Sequence, residues 1–516
     1  MNDPRLSFLA GTTDLGGDVL ADLRGTVVRV HVGLSALRSP AGQVLAYQYA
    51  TLAARLFDQV VLDGDPTAPA LSAVPIVRGP FLPALTAHLP TLRRPIPGPS
   101  TGRELRIAIG DDAPVGDLHL GATGWGARVS RLAPQPVEGG NHTLGALAAG
   151  TLGAAETFKL AFEGRVPGAY IQPEYTLSLL HYGPIDGREP ALPEGVHVDL
   201  TLFGAGSIGM GYLQGVALTP RLTGRITAVD NGRFDERNPV KYSLLDAASA
   251  EAHLAKAPWV EATLRPLLGD RLDVRGVEAT AAGYVAGLPV DYVLPLAVSA
   301  VDTFEARLEI QDALPGFLLN AGIDGTLVEV SAHRFGTGAC LGCLAIRQEL
   351  ESWDAGTLAQ RVGLTPGRTF ALIRGNEGLT GEDLDAIRRV AVLPPDALAT
   401  LDSYLGQPLL SLWNRVGYAE SAVQGSAAPV NVSSAFVSAF AGLLLLAETL
   451  KFAVPQLRGF IVDSSYRQQL LGVPAGDVLR YQRDTTGACL CHSGFRQRMH
   501  TQKYPNGDAV AAPHNS

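Results

Sequence analysis

Lysine is nearly missing from this chain of 516 residues: five occur among 41 basic residues, and the rest are arginine. Codon usage in a GC-rich genome accounts for the skew, and it makes each position worth inspecting: Lys159, Lys241, Lys256, Lys451 and Lys503. Cysteine is as scarce, at 4, which excludes a secreted scaffold held by disulfides. The four fall in two tight pairs, Cys340/Cys343 and Cys489/Cys491, and that grouping points to metal or redox chemistry in a reducing compartment. Charged residues make up 18%, the net charge is -9, and no Lys/Arg run occurs, so a nucleic-acid partner is not expected. The most apolar run, Ala435 to Ala447, falls short of the roughly 18–20 residues a membrane span needs and reads as a buried core helix. The opening MNDPRLSFLAGTTD has no basic stretch followed by an apolar one, so no signal peptide is expected. These absences imply a cytoplasmic protein with neither nucleic-acid nor membrane partners.

What is present is apolar sequence, 46% hydrophobic, enough for two to four domains of about 150 residues each. Residues 149–159 read AGTLGAAETFK and residues 441–451 read AGLLLLAETLK, a match in register at seven of eleven positions. Both are strong helix formers with small residues that allow close packing. Each half also opens alike, with a buried strand ending in glycine (25–33 and 196–204) followed by a helix (41–57 and 207–218). Further strands are expected at 59–63, 105–109, 225–230 and 291–298. Strands alternating with helices predict an α/β fold of two Rossmann-like modules with mainly parallel sheets. The expected division is a degenerate first module over 1–165, a linker over 166–195 and the nucleotide half of the second module over 196–344. A helical insertion and crossover region follows over 345–428, then the second module's C-terminal half over 429–495 and a flexible tail over 496–516. Within the insertion, LTGEDLDAIRRVAV (379–392) is read as a helix, with Thr380 and Asp383 resembling a capping box.

Gly204, Gly206 and Gly209 form a G-x-G-x-x-G directly after the strand VDLTLF and at the start of a helix. Such glycines allow a tight turn, backbone approach to phosphates and close helix–strand packing. Asp230, ending RITAVD, stands where an acid would bind ribose hydroxyls. The first half has Gly33-Leu-Ser-Ala-Leu37 in the matching place and lacks the later glycines, so it reads as a non-catalytic copy.

From Asp230 the chain continues N-G-R-F-D-E-R-N-P-V-K-Y. This resembles the superfamily of ubiquitin-activating, molybdopterin-synthase-activating and thiamine-sulfur-carrier-activating enzymes (ThiF–MoeB type), in a two-module form covering most of the chain. The resemblance implies ATP and magnesium as cofactors. Asn238 matches the family asparagine and Lys241 the basic position three residues on. The family usually has Arg and then Gln there, so Lys241 and Tyr242 keep the charge and lose the bidentate geometry. Lys256 matches a family lysine two residues late. Asp302, in SAVDTFEARLEIQ, matches the magnesium-site aspartate, with helix capping as the alternative role. Two of the five lysines thus fall where a phosphate chain needs cations.

In many family members paired cysteines bind structural zinc, which implies Cys340, Cys343, Cys489 and Cys491 as ligands, with His492 as an alternative fourth. If zinc takes all four, no thiol is left for an acyl intermediate. Ser421 stands eight residues before Pro429, where simpler relatives place the catalytic cysteine. Three explanations stay open: release of the adenylate to an external thiol, an oxyester on Ser421, or a paired cysteine as nucleophile without zinc. Arg5 is the candidate, by position, for an arginine reaching the γ-phosphate from the partner module. The function implied is ATP-dependent adenylation of the C-terminal carboxylate of a ubiquitin-like β-grasp protein, with transfer to a conjugating enzyme, by a pseudodimeric monomer. The alternatives are a sulfur-carrier adenylyltransferase, an NAD-dependent oxidoreductase and a non-catalytic scaffold.

Overall fold

A computed structural model describes residues 18–93, 102–162, 166, 169–187, 189–336, 338–344, 359, 363–374, 377–390, 401–407, 409, 434–473, 476–484 and 489–505. Contacts divide the chain into two units. The larger comprises residues 1–341, 431–481 and 494–516, and the smaller 342–430 and 482–493.

The larger unit contains two mainly parallel sheets built to one plan. The first has six strands, β1 (Val27–Val32), β2 (Gln59–Asp63), β3 (Glu104–Ile109), β4 (Leu118–Ala122), β5 (Gly126–Ser130) and β6 (Glu174–Ser178), in the order β2-β1-β3-β4-β5-β6. The second has eight: β7 (Val196–Phe203), β8 (Leu222–Val229), β9 (Leu272–Val277), β10 (Leu296–Ser299), β11 (Phe317–Asp324), β12 (Leu327–His333), β13 (Ser465–Gln469) and β14 (Gly476–Leu479). Its order is β14-β13-β12-β11-β10-β7-β8-β9. Without the edge strands β9 and β14, the second sheet repeats the first strand for strand, including the antiparallel turns at β4–β5–β6 and β11–β12–β13. This is the Rossmann-like α/β architecture expected, its central strands apolar because helices cover them.

Four helices bury the faces that matter here: α1 (Pro40–Leu56), α2 (Leu144–Ala161), α3 (Ser207–Ala217) and, after two further helices α4 (Lys256–Leu268) and α5 (Phe304–Asp312), α6 (Ala435–Ala453). The repeated motif lies on α2 and α6, and its shared residues do the same work in both. Gly150 brings α2 against α1: an added Cβ would sit 2.9 Å from the Tyr49 amide. Gly442 brings α6 against α3, where a Cβ would sit 2.2 Å from the Tyr212 amide. Thr157 then meets the Tyr49 hydroxyl at 2.8 Å, and Thr449 the Tyr212 hydroxyl at 3.3 Å. Glu156 pairs with Lys159 at 2.5 Å and Glu448 with Lys451 at 2.7 Å, all four buried. A tyrosine hydroxyl donates to each glutamate, Tyr175 to Glu156 (3.2 Å) and Tyr182 to Glu448. A buried ion pair is tolerated when its remaining lone pairs are filled in this way. Lys159 and Lys451 are therefore structural.

α6 is longer than its apolar run: at 19 residues it is long and apolar enough to cross a membrane, and 94% of that window is buried inside the protein. Three expectations are corrected. The segment read as a linker holds β6, which pairs with β5, and Tyr182, whose backbone takes φ +60° to reach Glu448. The expected strand 291–298 shortens to β10, since Pro295 cannot donate to a ladder. The tail begins as a helix, Gly494–Lys503, with His500 buried against the Pro315 carbonyl and Tyr504 donating to Leu294. Lys503 lies 3.1 Å from the centre of the Tyr292 ring.

In the smaller unit, Gly381–Val390 is a helix whose start is a reciprocal cap: Asp383 N–H donates to Thr380 Oγ1 (3.3 Å) and Thr380 N–H to Asp383 Oδ2 (2.8 Å). Arg368 fixes the same carboxylate at 2.8 Å and pulls its pKa down to about 2.

Candidate nucleotide site

β7 ends in Phe203 and the chain turns at Gly204, whose φ of +94° is open to glycine alone without strain. A Cβ on Gly209 would sit 2.0 Å from the Gly204 carbonyl, so the turn of α3 closes tightly on the loop. Gly206 is different: a Cβ there meets nothing nearer than the Tyr242 hydroxyl at 3.9 Å. Its face is open to whatever binds. Asp230, just past β8, holds the loop from the other side, since Ala205 N–H donates to Oδ2 (2.7 Å) and Gly232 N–H to Oδ1 (2.6 Å). Each oxygen keeps a second lone pair for a ligand hydroxyl.

A cavity of about 590 Å³ opens over this loop, within the usual range for small-molecule sites. Gly204, Gly206, Asp230, Lys241, Lys256 and Asp302 all line it, so one space brings together six of the residues picked from sequence. Lys256 is the first residue of α4, and its ammonium reaches back over Gly232. Burial pulls its pKa down, but Tyr242 and Asp230 outweigh burial and hold it above the ordinary lysine value. Burial lowers Lys241, Asp235 opposes that shift, and Lys256 reinforces it. Both ammonium groups lie near the Tyr242 ring, at 5.8 and 5.7 Å from its centre. Two lysines lining one partly buried cleft give it the positive potential that attracts an anion. Asp302 lines the cavity as an exposed residue. It does not cap α5, because Thr303 is the N-cap and accepts from Ala306 N–H.

Asn238 does not line the cavity. It is buried and accepts from the Asp235 amide at 3.1 Å, at the start of a short 3-10 turn, Asn238–Val240, that leads to Lys241. Arg5 and Ser421 lie outside the described residues. Sequence reasoning missed Arg307, which lines the cavity from α5 and donates to the Val301 carbonyl at 3.2 Å. Burial lowers its pKa, against Glu329 and Asp302. Its only signal was its place just over one helical turn beyond Asp302.

The matching loop of the first module is arranged differently. β1 and β3 are in register at Val32 and Ile109, as β7 and β10 are at Phe203 and Ser299. Three residues further on, Asp112 takes the place of Asp302. Its carboxylate accepts from the Ser35 amide (2.9 Å) and hydroxyl (2.7 Å), and it fills the space above Gly33, where a Cβ would lie 2.0 Å from Oδ1. Burial alone would raise Asp112, but the Ser35 hydrogen bonds prevail and lower it. The loop that would face an anion is closed by the protein's own carboxylate.

Cys343, Cys489 and Cys491 stand together in the smaller unit, and they and Cys340 are all buried. Cys343 Sγ is 3.5 Å from both Cys489 and Cys491. A tetrahedral ion with bonds of about 2.3 Å to sulfur needs separations of roughly 3.8 Å, so the donor set fits one. His492 Nε2 lies 2.5 Å from the Asp484 carbonyl.

The larger unit is thus a pair of Rossmann-like modules, one with an open, cation-lined cavity at its glycine loop and one with that loop closed. A family model described as "BilD N-terminal domain" matches residues 27–179. "Uncharacterized protein y4jF" of Sinorhizobium fredii (strain NBRC 101917 / NGR234) is 32% identical over 405 residues, covering 75% of each chain. The chain belongs to the same family as y4jF. Among solved structures, it is similar to crystal structures of E. coli MccB, at 13% identity and a TM-score of 0.34 over 63% of this chain and 68% of that one. MccB with ATP gives 12% identity and a TM-score of 0.35 over 58% and 67%.

Proposed function

We propose that the protein is an ATP-dependent adenylating enzyme whose second module activates the C-terminal carboxylate of a ubiquitin-like β-grasp protein. The observation that carries this reading is the cavity in which the open glycine loop, Asp230, Lys241, Lys256 and Asp302 converge. The glycine loop and the start of α3 receive phosphates, and Asp230 accepts from the ribose. Asp302 would hold magnesium, which supplies charge neutralisation along the phosphate chain. In the reaction a carboxylate oxygen attacks the α-phosphorus, the bond to the oxygen bridging the β-phosphate breaks, and pyrophosphate leaves. Lys241 and Lys256 stabilise the charge that develops, so catalysis is positioning and electrostatics. A nicotinamide cofactor would need no such pair of cations.

The first module, with Asp112 in the place of Asp302, is the inactive copy in a pseudodimer, and the ubiquitin-like substrate rests on the resemblance of residues 230–242. The four thiols would hold zinc, so metal analysis should find one zinc per chain and none in Cys343→Ser. With the thiols so used, Ser421 is the candidate acceptor before a conjugating enzyme. A hydroxylamine-sensitive adduct should then be lost in Ser421→Ala. The whole reading is tested by ATP–pyrophosphate exchange. Exchange should appear only when a small β-grasp protein is added, and should be lost in Asp302→Asn and in Lys256→Met. Exchange that survives both substitutions would overturn the reading.

A further inference from the structure

Arg55, in the last turn of α1, belongs to the first module, yet its guanidinium hydrogen-bonds to the second. Nη1 donates to the Pro239 carbonyl, and Nη2 to those of Ser243 and Leu245, both at 2.8 Å. The residue is fully buried, and among the described residues it makes no salt bridge with a carboxylate. Burial lowers its pKa to about 9, which leaves it a cation at neutral pH. Tyr47 and Asp246 oppose that shift and Arg93 reinforces it. A buried cation whose hydrogen bonds run to carbonyls and not to a carboxylate is a poor device for stability, since an apolar side chain of similar volume fills the space without desolvating a charge. A planar fork of fixed donors is a good device for holding a loop. The three carbonyls bracket Lys241 and Tyr242, which line the cavity.

We propose that Arg55 is a positioning residue for the nucleotide site: it holds loop 238–245 in the conformation that presents Lys241 and Tyr242 to the phosphates. The first module, which takes no nucleotide itself, thereby completes the site of the second. This rests on the reading of the cavity as an ATP site. Such coupling is reciprocal, so bound ATP must also favour the Arg55 contacts.

The test uses the full chain, MgATP, calorimetric titration and amide hydrogen exchange. Arg55→Met should raise the ATP dissociation constant about tenfold, within the range of typical couplings, and Arg55→Lys by less. Exchange should quicken at 238–245 while β7 and β8 stay protected. A purely structural role would lower the melting temperature and leave the affinity of the folded protein unchanged, and that result overturns the proposal. If Arg55→Met does not fold, Arg55→Lys and the wild type decide. In the wild type, ATP should slow exchange at both 238–245 and 53–57, and protection confined to 238–245 overturns the proposal. Wild-type protein that binds no ATP defeats the site reading itself. Wild type that binds and is weakened by Lys256→Met, beside an Arg55 variant of normal affinity, defeats only the role of Arg55.

Discussion

Two glycines of one loop separate the space a ligand needs from the space the fold needs. Gly206→Ala puts a methyl group into open space, so the melting temperature should stay within about a degree of wild type while ATP binding is lost, because phosphate can no longer reach the loop. Gly209→Ala drives a methyl group into the Gly204 carbonyl and should destabilise the protein itself. Calorimetry and thermal melts on the pair check both; a Gly206→Ala variant that binds ATP normally would place the phosphates elsewhere. A second residue sets a pH dependence. His142 is buried edge-on against Trp125, and burial, helped by Arg221, lowers its pKa to about 3. The unfolded chain takes up a proton near pH 6.5 and the folded one does not. Stability from this group is therefore complete above pH 6.5 and falls as the pH drops toward 3, by roughly 2 kcal/mol at pH 5. Melts at pH 7 and pH 5 should differ less in His142→Asn than in wild type. At this scale the residues legible in the sequence that come to line one cavity are those whose spacing is local to a motif: Gly204, Gly206, Asp230, Lys241, Lys256 and Asp302. The sequence hid Arg55, whose partners lie 184 to 190 residues away, and Asp112, whose role needs the register of β1 against β3.

Among the elements, α2 and α6 were the most legible because their motif repeats in register, and the structure supplies the reason for each repeated position. The ion pairs inside them are costly to break singly. Lys451→Met leaves Glu448 charged and fully buried, and should destabilise the larger unit by about 3–5 kcal/mol, read by denaturant titration. Adding Glu448→Gln should recover part of that loss; a double variant as unstable as the single would mean that packing, not charge, dominates. Strand boundaries were legible where apolar runs end in glycine, as at β1 and β7. They failed at 291–298, where proline interrupts an otherwise apolar run, and at β6, whose Pro-, Gly- and Tyr-rich surroundings read as a linker. An edge strand that pairs on one side carries a weaker pattern than a central one.

In the whole molecule, the two sheets follow one plan and differ at their glycine loops. One loop is open beneath a cavity with two lysines, and the other is closed by Asp112. The chain has two Rossmann-like modules and, on this account, one nucleotide site, completed by Arg55 from the module whose loop is closed. Equilibrium dialysis of MgATP against the full chain tests that most directly. One ATP should bind per chain, and none in Gly206→Ala, while Asp112→Asn should leave the stoichiometry at one. Two ATP per chain, no ATP at all, or one ATP that persists in Gly206→Ala would contradict it.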